Sequence, residues 1–123
     1  MSDIPTLRLN NGIDMPQLGF GVFLVPADEV VEPVRAALET GYRLIDTAKL
    51  YDNEEGVGRA IADSGIDRDE IFLTTKVWNS DHGYDATLQA FDASRKRLDY
   101  WCEAICVSRL RSCRPAALAP CSA

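Results

Sequence analysis

Histidine is almost missing from this chain: His82 is the only one in 123 residues. Cysteine is missing from its first 101 positions, and no apolar run nears the ~20 residues of a membrane-spanning helix. Cys102, Cys106, Cys113 and Cys121 crowd the last 22 residues, with 3, 6 and 7 residues between them. That spacing matches no common zinc finger, and no histidine lies near, so no metal site is expected. The start, Met1-Ser2-Asp3-Ile4-Pro5, lacks the basic and apolar regions of a signal peptide. A cytoplasmic location follows as the expectation, and disulfides are rare there. The four cysteines are left without a role.

Basic charge is also scarce over most of the chain. Residues 1–94 carry 7 basic and 17 acidic side chains, a balance of −10, whereas residues 95–123 carry 6 and 2. An acidic body argues against nucleic acid or an anionic membrane as a partner. Hydrophobic residues make up 46% of the chain, enough for a core, and the length suits one domain or part of one.

Short apolar runs alternate with amphipathic stretches. Leu7 to Pro16 alternates apolar and polar around Asn11-Gly12, a strong hairpin signal. Leu18 to Phe23 reads as a buried strand with two glycines, which often mark close approach by a backbone or ligand. A helix is expected from about Asp28 to Thr40, stopped by Gly41, although regular helix could begin only near Pro33. Tyr42 to Asp46 is the second strand. Asn53 is placed to cap a second helix, with Glu54 and Glu55 in its first turn and Val57, Ala60, Ile61 and Ser64 facing inward. Ile71 to Lys76 is the third strand. A third helix from about Tyr84 to Arg97 should bury Leu88, Phe91 and Leu98, with Ala90 and Ala93 beside them.

Strands separated by crossover helices imply a parallel sheet and an α/β fold. Three such units are roughly three-eighths of a complete α/β barrel. After Leu98 the pattern stops. Asp99-Tyr100 could open a fourth strand, but from Arg109 onward Arg, Ala, Pro, Ser, Leu and Cys dominate, all with GC-rich codons. A shift of reading frame or a gene-model error near residues 98–101 is the expectation, leaving residues 101–123 as an aberrant or disordered tail behind a 1–100 unit.

In a parallel barrel the chemistry sits at the C-terminal ends of the strands. Asp46, Tyr51, Lys76, Trp78 and Asn79 all fall on that side. A phenol is a poor proton donor near neutrality. An ammonium beside it stabilises the phenolate and makes it a better donor, and a carboxylate in turn stabilises a partly buried ammonium. Singly, the three have ordinary uses: an Asp caps a helix, a Tyr packs, a Lys ends a strand in water. Their joint placement favours a proton-handling site.

The same residues carry a close resemblance. Leu44-Ile45-Asp46-Thr47-Ala48-Lys49-Leu50-Tyr51-Asp52-Asn53-Glu54 resembles the signature of the aldo-keto reductase family. Gly41-Tyr42-Arg43, Val57-Gly58-Arg59-Ala60-Ile61, Gly19-Phe20-Gly21-Val22-Phe23 and Thr74-Thr75-Lys76-Val77-Trp78-Asn79 fit it too. The match runs over about residues 5–100 and is most similar to the bacterial 2,5-diketo-D-gluconate reductase-like branch. It implies an N-terminal hairpin plus about three βα units of a (β/α)8 TIM barrel, truncated, with an irregular tail. It also implies NADPH-dependent reduction of an aldehyde or ketone to an alcohol, in a family that is usually monomeric. Tyr51 would give the proton to the carbonyl oxygen, Lys76 would stabilise the phenolate, and Asp46 would pair with Lys76. Gly21, Val22 and Asp46 would lie against the cofactor, and Phe23 and Trp78 would line the pocket of a small carbonyl substrate.

The departures from the family bear on competence. The family ends its next strand in a histidine that orients the carbonyl, and His82 does not match that position. The later strands that hold most of the NADPH have no counterpart, so this chain is expected to be inactive alone. Two other readings stand beside it. One is a Schiff-base barrel lyase using Lys76; the other is a non-catalytic fragment whose open sheet edges invite association.

Overall fold

A computed structural model describes residues 3–99. The expected strand after Asp99, the cysteines and the 101–123 tail lie outside the described residues. The chain begins with an antiparallel hairpin, β1 (Thr6–Arg8) and β2 (Asp14–Pro16), in which Leu7 faces Met15. Gly12 sits at φ +84 in its turn, a backbone conformation glycine adopts without steric cost. Three parallel strands follow in sequence order: β3 (Phe20–Gly21), β4 (Leu44–Asp46) and β5 (Phe72–Thr74). Helices α1 (Val31–Thr40), α2 (Glu54–Asp63) and α3 (Tyr84–Arg97) alternate with them. The α/β expectation and its three units are therefore observed.

Each strand is shorter than its apolar run. The residues flanking them keep ladder-like bonds, such as Val22 N–H to the Asp46 carbonyl at 3.1 Å and Thr47 N–H to the Thr74 carbonyl at 2.9 Å. Helix α1 starts at Val31 rather than Asp28, because residues 27–30 form a turn. Pro33 then falls in the first turn, where N–H groups have no helical acceptor to lose. Gly41 closes the helix at φ +111, donating back to the last carbonyls.

Alternation along the strands sorts the two faces of the sheet. Ile45, Ile71 and Leu73 join Val34, Ala37 and Leu38 of α1 and Val57, Ala60 and Ile61 of α2 in one core. The opposite face holds Leu44 and Asp46 of β4 beside Phe72 and Thr74 of β5, in register. Gly19 is needed there because a Cβ would stand 2.0 Å from the Leu44 side chain. Helix α2 approaches the end of α3 just as closely: a Cβ on Gly58 would lie 2.4 Å from the Leu98 carbonyl oxygen.

Two helix expectations need correction. Helix α3 buries far less than its pattern suggests: Leu88 is 40% exposed, Phe91, Ala90 and Ala93 are half-buried, and Ser94 and Leu98 are its deepest residues. Among the described residues α3 meets only α2 and the turn before it closely, so its outer half lacks cover. On α2, Ser64 lies past the last helical residue, half-buried, and turns its hydroxyl to the Ile61 carbonyl. Among the described residues no helix is long and apolar enough to cross a membrane.

Candidate active site

Strand geometry decides which side chains meet. Thr74 and Lys76 are two residues apart and point to the same face as Asp46, while Thr75 between them points to the helices. Asp46 therefore receives two donors: the Thr74 hydroxyl on Oδ1 and the Lys76 ammonium on Oδ2 at 2.6 Å. Lys76 Nζ also donates to the Thr47 carbonyl at 3.0 Å and to the Tyr51 hydroxyl oxygen at 3.3 Å. An ammonium has three N–H donors and no acceptor, so all three are committed. The consequence for Tyr51 is directional. Its oxygen accepts from Lys76, which leaves its own O–H free to donate outward.

Tyr51 reaches this position from a short 3-10 turn, Lys49–Tyr51, that follows β4. Asp52 ends the turn in the left-handed region at φ 54. Lys49 of the same turn pairs with Asp81 in the turn after β5 (Asn79–Asp81), and its N–H donates to the Lys76 carbonyl at 3.4 Å. That bond from Lys49 holds the Asp81 carboxyl below its ordinary carboxylate pKa. The rings of Phe23 and Tyr51 stack obliquely with centroids 5.1 Å apart, and the Lys76 ammonium lies 5.0 Å from the Tyr51 ring centre.

The structure thus brings Asp46, Tyr51 and Lys76 into one hydrogen-bonded set, with Phe23 against it. Trp78 precedes the Asn79–Asp81 turn and is 40% exposed. Gly21 is opposite Asp46 in the β3–β4 register, with open space where a Cβ would stand. Val22 is different: its side chain is wholly buried in the core, its N–H is bonded to Asp46 and its carbonyl to Asn53. His82 is exposed in the loop after β5. Among the described residues no cluster of three His, Cys, Asp or Glu could hold a metal.

Glu54 and Glu55 stand in the first turn of α2 as expected, but sequence reasoning gave Asn53 the wrong partner and Glu54 none. Asn53 stands at the N-cap of α2 but makes no capping bond. It is buried, accepts from the Thr47 hydroxyl at 2.8 Å and donates to the carbonyls of Val22 and Val25 at 3.0 and 2.9 Å. Glu54 is buried too, and binds Thr75 at 2.5 Å and Arg97 at 2.7 Å. No local signal separates either from an ordinary helix start, because apart from Thr47, six residues before Asn53, their partners lie 21 to 43 residues away.

A carboxylate, a phenol and an ammonium in this order along the chain match a known pattern. The family model of the aldo/keto reductases matches residues 17–102. The chain belongs to the aldo/keto reductase family. It is 58% identical over 94 residues to an aldo-keto reductase of Mycolicibacterium smegmatis and 54% identical over 94 to the glyoxal reductase of Bacillus subtilis. Each alignment covers 76% of this chain and 34% of the relative. The chain spans about a third of the length of these curated relatives.

Solved structures agree on the fold. An aldo/keto reductase from Brucella melitensis superposes with a TM-score of 0.77 at 57% identity, covering 80% of this chain and 38% of that one. A Bombyx mori aldo-keto reductase in complex with NADP gives 0.75 at 38% identity, covering 80% and 36%. The described residues are accordingly part of an aldo-keto reductase barrel.

Proposed function

We propose that the chain carries the proton-delivering part of an NADPH-dependent carbonyl reductase that converts an aldehyde or ketone to an alcohol. The observation that supports it is the committed Lys76 ammonium, which leaves the Tyr51 O–H free to face a carbonyl oxygen. As negative charge develops on that oxygen, Tyr51 hands over its proton, and Lys76 stabilises the phenolate it becomes. Asp46 pairs with Lys76 and fixes its direction, with Thr74 holding the second carboxylate oxygen.

A reduced nicotinamide would supply the hydride to the carbonyl carbon. The residues present fit its reactive end. Gly21 is exposed and leaves room beside Asp46, whose carboxylate retains acceptor capacity for a ribose hydroxyl. Val22 would serve there through its place in the backbone, since its side chain is in the core. Phe23, beside the phenol, and Trp78, at the far loop, would flank a small carbonyl substrate. The Bombyx mori relative's complex with NADP and the Bacillus subtilis relative's name support this cofactor and this class of substrate.

A Schiff base on Lys76 is disfavoured because it needs a neutral amine with a free lone pair, and the carboxylate favours the ammonium. The experiment is aldehyde-dependent NADPH oxidation at 340 nm, with glyoxal as substrate, together with borohydride trapping, in a chain of residues 1–98 followed by the remaining barrel units of the Bacillus subtilis relative. NADPH consumption lost in Tyr51→Phe supports the reductase. A borohydride-stable adduct on Lys76 without NADPH consumption contradicts it.

A further inference from the structure

The side-chain donors of the Thr47–Asn53 pair are all engaged, and from the end of β4 the pair reaches the ends of β3 and β5. Asn53 Nδ2 can only donate, and it faces two carbonyls that can only accept, so the orientation of its amide is fixed. Those carbonyls, Val22 and Val25, bracket a tight turn that Val25 N–H closes onto the Val22 carbonyl at 3.2 Å. Inside the turn Leu24 is 80% exposed and held at φ 63, a left-handed conformation in which a leucine is sterically strained. Phe23, in the same turn, is 60% exposed yet rests against Tyr51. A strained, exposed turn needs an external hold, and Asn53 supplies it from below.

Thr47 completes the connection. Its N–H donates to the Thr74 carbonyl at 2.9 Å, its carbonyl accepts from Lys76 at 3.0 Å and its hydroxyl donates to Asn53 at 2.8 Å. It is wholly buried, and Asn53 is 1% exposed. We infer that Thr47 and Asn53 are the positioning residues of this site: Asn53 holds the Phe23 turn against Tyr51, and Thr47 registers that turn to the Lys76 ammonium. Resting on the reading of Phe23 as a wall of the carbonyl pocket, the pair sets how closely that wall approaches the proton donor.

The test is aromatic NOE spectroscopy on the full chain and on Asn53→Asp, Thr47→Val and Thr47→Ser. Two ring pairs are compared: Phe23–Tyr51, and Phe20–Tyr42 with centroids 6.0 Å apart, which shares no hydrogen bond with Thr47 or Asn53. Asn53→Asp sets a carboxylate against two carbonyls and should lose the Phe23–Tyr51 cross-peak while keeping Phe20–Tyr42. Thr47→Val should weaken the first cross-peak selectively, and Thr47→Ser should restore it. If Asn53→Asp does not fold, the Thr47→Val and Thr47→Ser pair decides alone. Retention of Phe23–Tyr51 at wild-type relative intensity in Thr47→Val overturns the inference. Loss of both cross-peaks there overturns it too, since it marks a general role in holding the fold. The measurement needs neither cofactor nor substrate, so its failure is distinct from failure of the reductase reading.

Discussion

Replacing Arg97 by alanine should be far costlier than its half-exposed position suggests. The Glu54 carboxylate is 1% exposed and has two partners: the Thr75 hydroxyl at 2.5 Å, and Arg97, whose Nε and Nη2 each stand 2.7 Å from Oε2. Breaking a fully buried ion pair costs about 3–5 kcal/mol, because the charge left behind is uncompensated. The Arg97 side chain is 37% exposed, so water can enter the space it vacates. That solvent access lowers the expected cost to about 2–3 kcal/mol. Glu54→Gln removes the charge itself, so the double variant Glu54→Gln/Arg97→Ala should be less destabilised than Arg97→Ala alone. Urea unfolding followed by circular dichroism, with unchanged m-value, measures all three. A cost for Arg97→Ala under about 1 kcal/mol, typical of an exposed pair, would refute the reasoning. The site has a stake in the result, since Thr75 adjoins Lys76 just past β5 and this bond anchors the helix-facing side of that strand end.

Gly58→Ala should destabilise by about 1–3 kcal/mol through overpacking against the Leu98 backbone, less about 1 kcal/mol gained in helix propensity. Gly21→Ala meets nothing within 4 Å and should leave the urea midpoint unchanged. The Lys49–Asp81 pair should weaken in acid. The Asp81 carboxyl is held below its unfolded value, so its contribution is present above that value and fades as pH falls through the folded one. Carboxyl NMR of Asp81 should give a midpoint below 3.8 in the wild type and a higher one in Lys49→Met; equal midpoints would remove Lys49 as the cause. The 123-residue chain by itself is expected to show no appreciable NADPH oxidation, because among the described residues the sheet has three parallel strands of the barrel's eight. Turnover by this chain at rates typical of such enzymes would contradict that expectation.

What could be read from the sequence was what depends on local pattern. The βα order, the Asn11-Gly12 hairpin and the bounds of α3 follow from apolar periodicity and turn residues, and the structure has them. The set Asp46, Tyr51 and Lys76 was legible because each follows directly from a strand whose end the pattern located. Legibility failed where long-range partners decide. Asn53 and Glu54 look like the opening of a helix, yet a loop 28 to 31 residues earlier claims one and an arginine 43 residues later claims the other. Leu88 carries the right spacing for a core face and is still largely exposed, because burial needs a neighbour and spacing cannot supply one. Val22 was placed near the cofactor by the family resemblance; its side chain is core, which leaves only its backbone for that role.

The central claim is that the Tyr51 O–H is the proton that reaches the carbonyl, freed to do so by the three bonds of Lys76. It is tested most directly in a chain of residues 1–98 followed by the remaining barrel units of the Bacillus subtilis relative, by following aldehyde-dependent NADPH oxidation with Tyr51 present and with Tyr51→Phe. The account predicts activity in the first and a loss of about 10²–10⁴-fold in the second, the usual contribution of a positioned general acid. Tyr51→Phe turning over at the wild-type rate would contradict it.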